Sequence, residues 1–334
     1  MADERALLDK FCVWMATSEG LSDATVRKYR GHLDRLIAYC TERGLHLLRV
    51  TLEDLEAYSG IYMHEIGITP RSQCVVVAST RKFYRWLVRN HVIAADPAAH
   101  LKYPRTGRPL GIMMELAWMQ KLLMAPGIDT FKGLRDTTLL TILAGCGPRP
   151  SGVVALNQSD VIFSVEDNVE KLYLRFTEKG KKQRIVPAPD ECRALLRAYL
   201  GHPYLQKVDR SLPDGDQVLF IKIQDTGVPA HQFFGESRRL GQRGLNKMME
   251  KYGHEIGLPA DQRNPKALRH LFGTELKEDD VDIRDSMALM GHEDEGSQKM
   301  YTHLARRKLR KIIDRSNPLA KVRIPIITDL GKIQ

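Results

Sequence analysis

Gly145-Cys146-Gly147-Pro148-Arg149-Pro150-Ser151-Gly152 is the stretch on which the reading of this chain turns. An apolar helical pattern over 133–145 runs into it. Glycine stops a helix there, and proline at a first-turn position opens another, over about 150–157. Arg149 stands between the two, and taken alone it reads as a surface arginine at a helix start. Downstream, residues 161–165, 172–177 and 183–187 read as strands. The last two flank Glu178-Lys179-Gly180-Lys181-Lys182, a glycine-containing hairpin turn whose charges, taken alone, read as solvated. Further on come Lys266-Ala267-Leu268-Arg269-His270 early in a helix, Met290-Gly291-His292, and Tyr301-Thr302-His303.

In this order the five pieces resemble the tyrosine recombinase (phage integrase) family. The family's first box, Gly-Leu-Arg-Ile-Ser-Glu, corresponds to Gly147-Pro148-Arg149-Pro150-Ser151-Gly152. Its hairpin, Gly-Lys-Gly-x-Lys-x-Arg-x-Val-Pro, corresponds to the run from Glu178 to Pro187 through Lys179, Lys182 and Arg184. Its His-x-x-Arg-His corresponds to Lys266 through His270, and its Leu-Gly-His to Met290-Gly291-His292. Tyr301 follows His292 by the family's nine positions. The resemblance covers nearly the whole chain. It departs twice: Lys266 stands where the family usually has His, and Gly152 where it usually has an acidic residue.

The fold implied is mainly α with a small β-sheet: an N-terminal helical core-binding (SAM-like) domain and an α+β tyrosine recombinase catalytic domain. The plan is that of compact two-domain, Xer- or Cre-like members. The expected division is 1–103 for the helical DNA-binding domain, 104–112 for a linker rich in Pro, Gly and Arg, 113–315 for the catalytic domain, and 316–334 for a tail docking on a neighbouring subunit. A basic tail lying along DNA is the other reading of that end.

The implied chemistry is cleavage and rejoining of DNA strands. Attack on a phosphodiester spreads negative charge over the non-bridging oxygens, so preorganised cations lower the barrier most. By the resemblance, Tyr301 is the nucleophile, Arg149 and Arg269 grip the phosphate, His292 donates a further hydrogen bond, and Lys179 protonates the departing 5′ oxygen. Planar guanidinium groups suit phosphate because they bind two oxygens at once. Lys266 either acts as a base or stays charged and grips phosphate. No metal or cofactor is implied. The run Glu278-Asp279-Asp280 with Asp282 reads as a helix end and the next N-cap.

Earlier in the chain, the sequence predicts four helices. The first covers about 6–17, with Leu7, Leu8, Phe11 and Met15 on one face. The second is capped by Ser22, with Val26, Tyr29, Leu33, Ile37 and Cys40 inward. The third opens at Thr51 and ends near Gly67; the fourth opens at Pro70 and runs over 71–90. Arg81, Arg85 and Arg89 form a basic stripe on the fourth. Arg239, Arg243, Lys247 and Lys251 form another on a helix expected over 236–252. These stripes, with Lys181, Lys182 and Arg184 of the hairpin, are the expected DNA grip. Helices are also expected over 115–124, 190–200, 265–277, 282–290 and 296–314, and an extended end over 322–328.

The 334 residues carry a formal net charge of +10, but it is not spread evenly. Residues 302–334 hold nine basic and two acidic residues, whereas 106–301 are balanced. Charge alone therefore does not identify the partner. No apolar stretch is long enough to span a bilayer, and the mixed-charge start is unlike a secretory signal. Five scattered cysteines exclude a disulfide framework and a Cys-rich zinc site, and with the rest point to the cytoplasm. The expected partner is double-stranded DNA with inverted half-sites, bound by a dimer on one site and a tetramer in the synapse. The alternatives are a type IB topoisomerase-like relaxing enzyme and a catalytically decayed DNA-binding protein.

Overall fold

Ser22, Thr51 and Thr69 each open a helix by turning a hydroxyl back onto a backbone N–H. At Thr51 the cap is reciprocal: Asp54 N–H donates to its Oγ1 at 3.2 Å, and Thr51 N–H donates to the Asp54 carboxylate at 2.8 Å. Two donors that a helix start leaves open are thereby satisfied. The computed structural model describes residues 2–107, 113–177, 183–225, 227–291 and 303–325. The chain divides into two compact units, Met1–Leu110 and Gly111–Gln334.

The first unit is helical: α1 Ala2–Thr17, α2 Asp23–Glu42, α3 Leu52–Glu56, α4 Met63–Glu65 and α5 Pro70–Arg89. Leu8, Phe11 and Met15 of α1 are buried, as are Leu33, Ile37 and Cys40 of α2. Leu7, Val26 and Tyr29 pack at the margin of the same core. The single helix expected from Thr51 is instead interrupted by a π-helical turn, Ala57–Tyr62. That wider turn sets Tyr58 and Tyr62 side by side against Tyr39, with ring centroids 5.1 and 5.0 Å from it. Buried Tyr58 and Tyr84 donate to the carbonyls of His32 and Leu47 at 2.8 and 2.9 Å. Their rings therefore fill the core without stranding a polar atom.

The second unit holds α6 Leu116–Met124, α7 Phe131–Cys146, α8 Pro150–Val154, β1 Val161–Glu166, β2 Val169–Thr177, β3 Gln183–Ala188, α9 Asp190–Gly201, α10 Pro203–Gln206, α11 Gln242–Glu255, α12 Pro265–Glu278, α13 Ile283–Met290 and α14 His303–Ser316. The strands form an antiparallel sheet in the order β1-β2-β3. Its inward face pairs Leu172 with Ala188, Leu174 with Val186 and Phe176 with Arg184. The fold is thus mainly helical with one small sheet.

Helix α7 is the core element: apart from Lys132, every residue from Phe131 to Cys146 is buried. Its buried Arg135 donates to the Asp136 carboxylate at 2.6 and 2.8 Å and to the Ile221 carbonyl at 2.7 Å. Tyr252 of α11 donates to the other Asp136 oxygen at 2.9 Å. Charge at this depth is tolerable only with such pairing.

Two sequence expectations need correction. Helix α8 stops at Val154, short of 157. Helix α11 begins at Gln242 behind Gly241, not at 236, because residues 238–240 pair with the extended segment at 220–222. Lys222 N–H donates to the Arg238 carbonyl at 2.6 Å, and Leu240 N–H to the Phe220 carbonyl at 2.8 Å. Residues 316–325 pack on their own unit. Leu319 and Ile324 are 2% and 3% exposed in its core, and Asn317 Oδ1 caps the turn that follows it. Lys321 Nζ bridges Glu275 and Asp279 of α12 at 2.7 and 2.8 Å. Gln120 donates to the Arg323 carbonyl at 2.6 Å. Residues 326–334 of the expected tail lie outside the described residues.

Candidate active site

The first box is built around glycines that other side chains occupy. Gly147 ends α7 in the left-handed region, at φ +57°. A Cβ there would sit 2.1 Å from Phe272 Cδ1 of α12. At Gly145, a Cβ would lie 2.7 Å from Leu319 of the C-terminal segment. Pro150 then biases the residue before it toward extended backbone. Arg149 has φ −66° and ψ 141°, and α8 starts immediately after it. The turn thus fixes where Arg149 departs, and the side chain is half-buried.

Helix α12 supplies the second arginine. Pro265 stands at its first position. Lys266 and Arg269, three residues apart, are neighbours on the helix surface, Lys266 exposed and Arg269 only 9% exposed. Arg269 Nη1 donates to the Gly147 carbonyl and Nη2 to the Met290 carbonyl, both at 2.6 Å. One guanidinium therefore joins the α7–α8 turn, α12 and the end of α13. Burial, then the charge of Arg184, then that of Arg149, pushes the Arg269 guanidinium down to about 10. Arg149, Arg184 and Arg269 thus share one electrostatic neighbourhood, brought together from three different elements. An anion placed there would relieve both the desolvation and the mutual repulsion.

Lys179, His292 and Tyr301 lie outside the described residues. Helix α14, which starts two residues after Tyr301, is fastened to the sheet by a residue that sequence reasoning assigned to surplus charge. Arg310 is 6% exposed and donates to the Ala188 and Leu172 carbonyls at 2.6 and 2.7 Å. Its guanidinium also lies 4.9 Å from the Tyr173 ring centroid. Lys308 pairs with the buried Asp285 of α13 at 2.5 Å. The acidic run behaves as expected: Asp279 follows α12, and Asp282 caps α13 through Arg284 N–H at 2.8 Å. Among the described residues, no three His, Cys, Asp or Glu side chains converge as a metal-ligand set.

The family model for the phage integrase family matches residues 117–308, and that for its N-terminal SAM-like domain matches residues 8–91. The chain belongs to the phage integrase family. Its chemistry is that of the tyrosine recombinases, DNA cleavage and rejoining. It is 29% identical to the tyrosine recombinase XerD of Pseudomonas aeruginosa over 94% of this chain and 98% of that one. It is likewise 29% identical to the tyrosine recombinase XerC of Shewanella amazonensis, over 96% and 99%. Among solved structures, XerH site-specific recombinase bound to its difH substrate superposes with a TM-score of 0.63 at 18% identity, covering 91% of this chain and 82% of that one. A lambda integrase dimer on a core site gives 0.62 at 14% identity, over 87% and 96%.

Against that family fold, the expected DNA-grip residues separate into groups. Arg85 and Arg89 of α5 are exposed, and so are Arg243, Lys247 and Lys251 of α11. Arg81 turns back on its own unit, donating to the Ala99 and Leu101 carbonyls at 3.2 and 3.4 Å. Arg239 is not on the α11 stripe at all. It precedes Gly241 and donates to the Val154 and Leu156 carbonyls, to Asn157 Oδ1 and to Glu236. Arg184 is 6% exposed and is not part of a solvated face. Lys181 and Lys182 lie outside the described residues. Alternation along β3 was the available signal for Arg184: it stands two residues before the buried Val186, so both share the inward face. Nothing in the spacing of Arg239 announced the break at Gly241 except the glycine itself.

Proposed function

We propose that the chain recombines DNA at specific sites through a 3′-phosphotyrosyl intermediate. In the forward step Tyr301 gives up its hydroxyl proton to water, its Oη bonds to phosphorus, the P–O5′ bond breaks, and Lys179 gives its own proton to the departing 5′ oxygen. Rejoining reverses these changes. The covalent link conserves the bond, so neither ATP nor a metal enters the balance. Arg149 and Arg269 hold the non-bridging oxygens, and His292 donates to one of them. Lys266, exposed at the start of α12, is assigned as a phosphate grip rather than as a base. The observation that carries this reading is the convergence of guanidinium groups from the α7–α8 turn and α12, with Arg269 locked by two carbonyls. Preorganised charge of this kind is what a phosphoryl transition state needs.

The assembly follows from the same reading. Lambda integrase is described as a dimer on a core site and as a tetramer on a Holliday junction. Inverted half-sites on double-stranded DNA, a dimer per site and a tetramer per synapse are therefore the arrangement assigned to this chain. Residues 1–103 act as the core DNA-binding domain, 104–112 as the linker and 113–315 as the catalytic domain, and the protein works in the cytoplasm. No helix among the described residues is long and apolar enough to cross a membrane.

The test is covalent capture. A DNA site recovered by selection from a random duplex library is prepared with a nick near the cleavage point. Wild type is expected to form an adduct stable to denaturant in the presence of EDTA, and Tyr301→Phe none. A wild type that binds the selected site but forms no adduct would overturn the enzymatic reading in favour of a decayed binding protein, for which Gly152 and Lys266 are the relevant departures. Relaxation activity without any need for paired half-sites would favour the topoisomerase-like alternative.

A further inference from the structure

The inward face of the sheet is apolar until its last pair. Leu172, Leu174 and Phe176 on β2 and Ala188 and Val186 on β3 are each at most 1% exposed, and then Arg184 closes the row. A guanidinium at the end of an apolar face costs desolvation, and nothing in strand formation requires one there. Its place is specific. Arg184 lies opposite Phe176, with its guanidinium carbon 5.7 Å from that ring centroid. Phe176 in turn lies against α8, where a Cβ on Gly152 would be 3.7 Å from its ring. Helix α8 is the helix that starts immediately after Arg149. The end of β3 is therefore continuous, through Phe176 and Gly152, with the turn that carries Arg149.

We propose that Arg184 is a third guanidinium of the phosphate site, acting with Arg149 and Arg269 on the transferring phosphate. Two further observations support the assignment. Arg184 is the stronger of the two neighbouring charges that act on Arg269, ahead of Arg149. And Gly152 brings no carboxylate to the place where α8 meets the sheet, so α8 adds no negative charge to compete with a bound phosphate. The role differs from that of a backbone grip. A residue gripping a phosphate elsewhere on the duplex contributes to affinity and to its salt dependence. A residue at the reacting phosphate contributes mainly to the transition state, where the charge is greatest.

The inference rests on the proposed cleavage reaction, and its test keeps the two apart. Wild type, Arg184→Ala and Arg184→Lys are compared on two nicked duplexes of the selected site. One carries the ordinary phosphate at the cleavage point and the other a neutral methylphosphonate. On phosphate, Arg184→Ala is expected to slow adduct formation about 100-fold, with DNA affinity kept within about twofold and the salt slope unchanged. On methylphosphonate the deficit relative to wild type should shrink at least tenfold, because there is less charge to neutralise. Arg184→Lys keeps the charge without the planar fork, and its deficit on phosphate should fall between those of wild type and Arg184→Ala. Equal deficits on the two substrates would show a structural role and overturn the proposal, as would a deficit that appears only in affinity with the salt slope lowered by about one. Should Arg184→Ala not fold, Arg184→Lys is judged by the same ratio of deficits. Wild-type adduct is the internal reference: without it the proposed function falls first, and the role of Arg184 with it.

Discussion

The carbonyl oxygen of Gly147 accepts a 2.6 Å hydrogen bond from Nη1 of Arg269. Gly147 stands two residues before Arg149, so this bond ties the departure point of one arginine to the side chain of the other. Gly147 adopts φ +57°, and a Cβ there would lie 2.1 Å from Phe272 Cδ1.

Gly147→Ala is accordingly expected to be severe. A Cβ 2.1 Å from Phe272 must displace an aromatic ring that is fully buried, and the left-handed backbone adds strain. A loss of about 3 kcal/mol or more is expected. Gly152→Ala, whose Cβ meets nothing closer than 3.7 Å, should change stability by less than about 1 kcal/mol. Urea unfolding of the two variants, side by side, checks the contrast; equal losses would contradict it.

Arg269→Gln should lower Tm, because the Gly147 and Met290 carbonyls lose their donors, and should slow adduct formation by about 100-fold or more. Arg269→Lys should rescue little. A single ammonium cannot reach the Gly147 and Met290 carbonyls and still present two donors to a phosphate. Single-turnover cleavage of the nicked duplex, with affinity measured separately, distinguishes this from a binding defect.

The α11 stripe and Arg239 should part company experimentally. Arg243→Ala or Lys247→Ala removes an exposed charge, and each should lower the salt slope of DNA binding by about one with little change in Tm. Arg239→Ala should leave that slope unchanged. It should lower Tm instead, because two carbonyls and Asn157 lose their donor. Fluorescence anisotropy across a salt series and thermal melts read both quantities.

The clasp of Lys321 on α12 predicts a pH window. A hydrogen bond from Lys321 holds the Asp279 carboxyl below its usual range, and bonds to Asp279 and then Glu275 hold the Lys321 ammonium above its own. The Asp279 contribution is present above the ordinary carboxylate value of about 4 and is lost as pH falls through the lowered value. The Lys321 contribution is present below the ordinary lysine value of about 10.4 and is lost as pH rises through the raised one. The Tm difference between wild type and Lys321→Met should therefore be flat from about pH 5 to 10 and shrink at both ends. Growth of that difference on acidification would contradict the clasp.

What the sequence made legible were features with local rules. Caps at Ser22, Thr51 and Thr69, and the apolar faces of α1 and α2, follow from spacing alone. The ordered boxes led to the family and hence to both arginines. What escaped depended on partners far away in the chain. Arg310 and Arg239 look like members of charged runs, and only carbonyls more than eighty residues distant reveal that they face inward. Arg184 sat in a hairpin read as solvated because its lysine neighbours dominated the pattern, although strand alternation pointed to the other face. Docking of residues 316–334 on a neighbour is what the family resemblance implies, and the burial of Leu319 and Ile324 in their own unit depends on partners distant in the chain.

Arg310 has a mechanical consequence for Tyr301, the proposed nucleophile. It bolts α14 to two carbonyls of the sheet, and the helix runs back from there as a rigid rod to His303. Tyr301 stands two residues ahead of that rod, a leash of about 7 Å at full stretch. Where the helix begins is therefore set by where Arg310 anchors it. Lys308, paired with Asp285, holds the same helix two residues nearer its start, so loosening both contacts would free the beginning of α14.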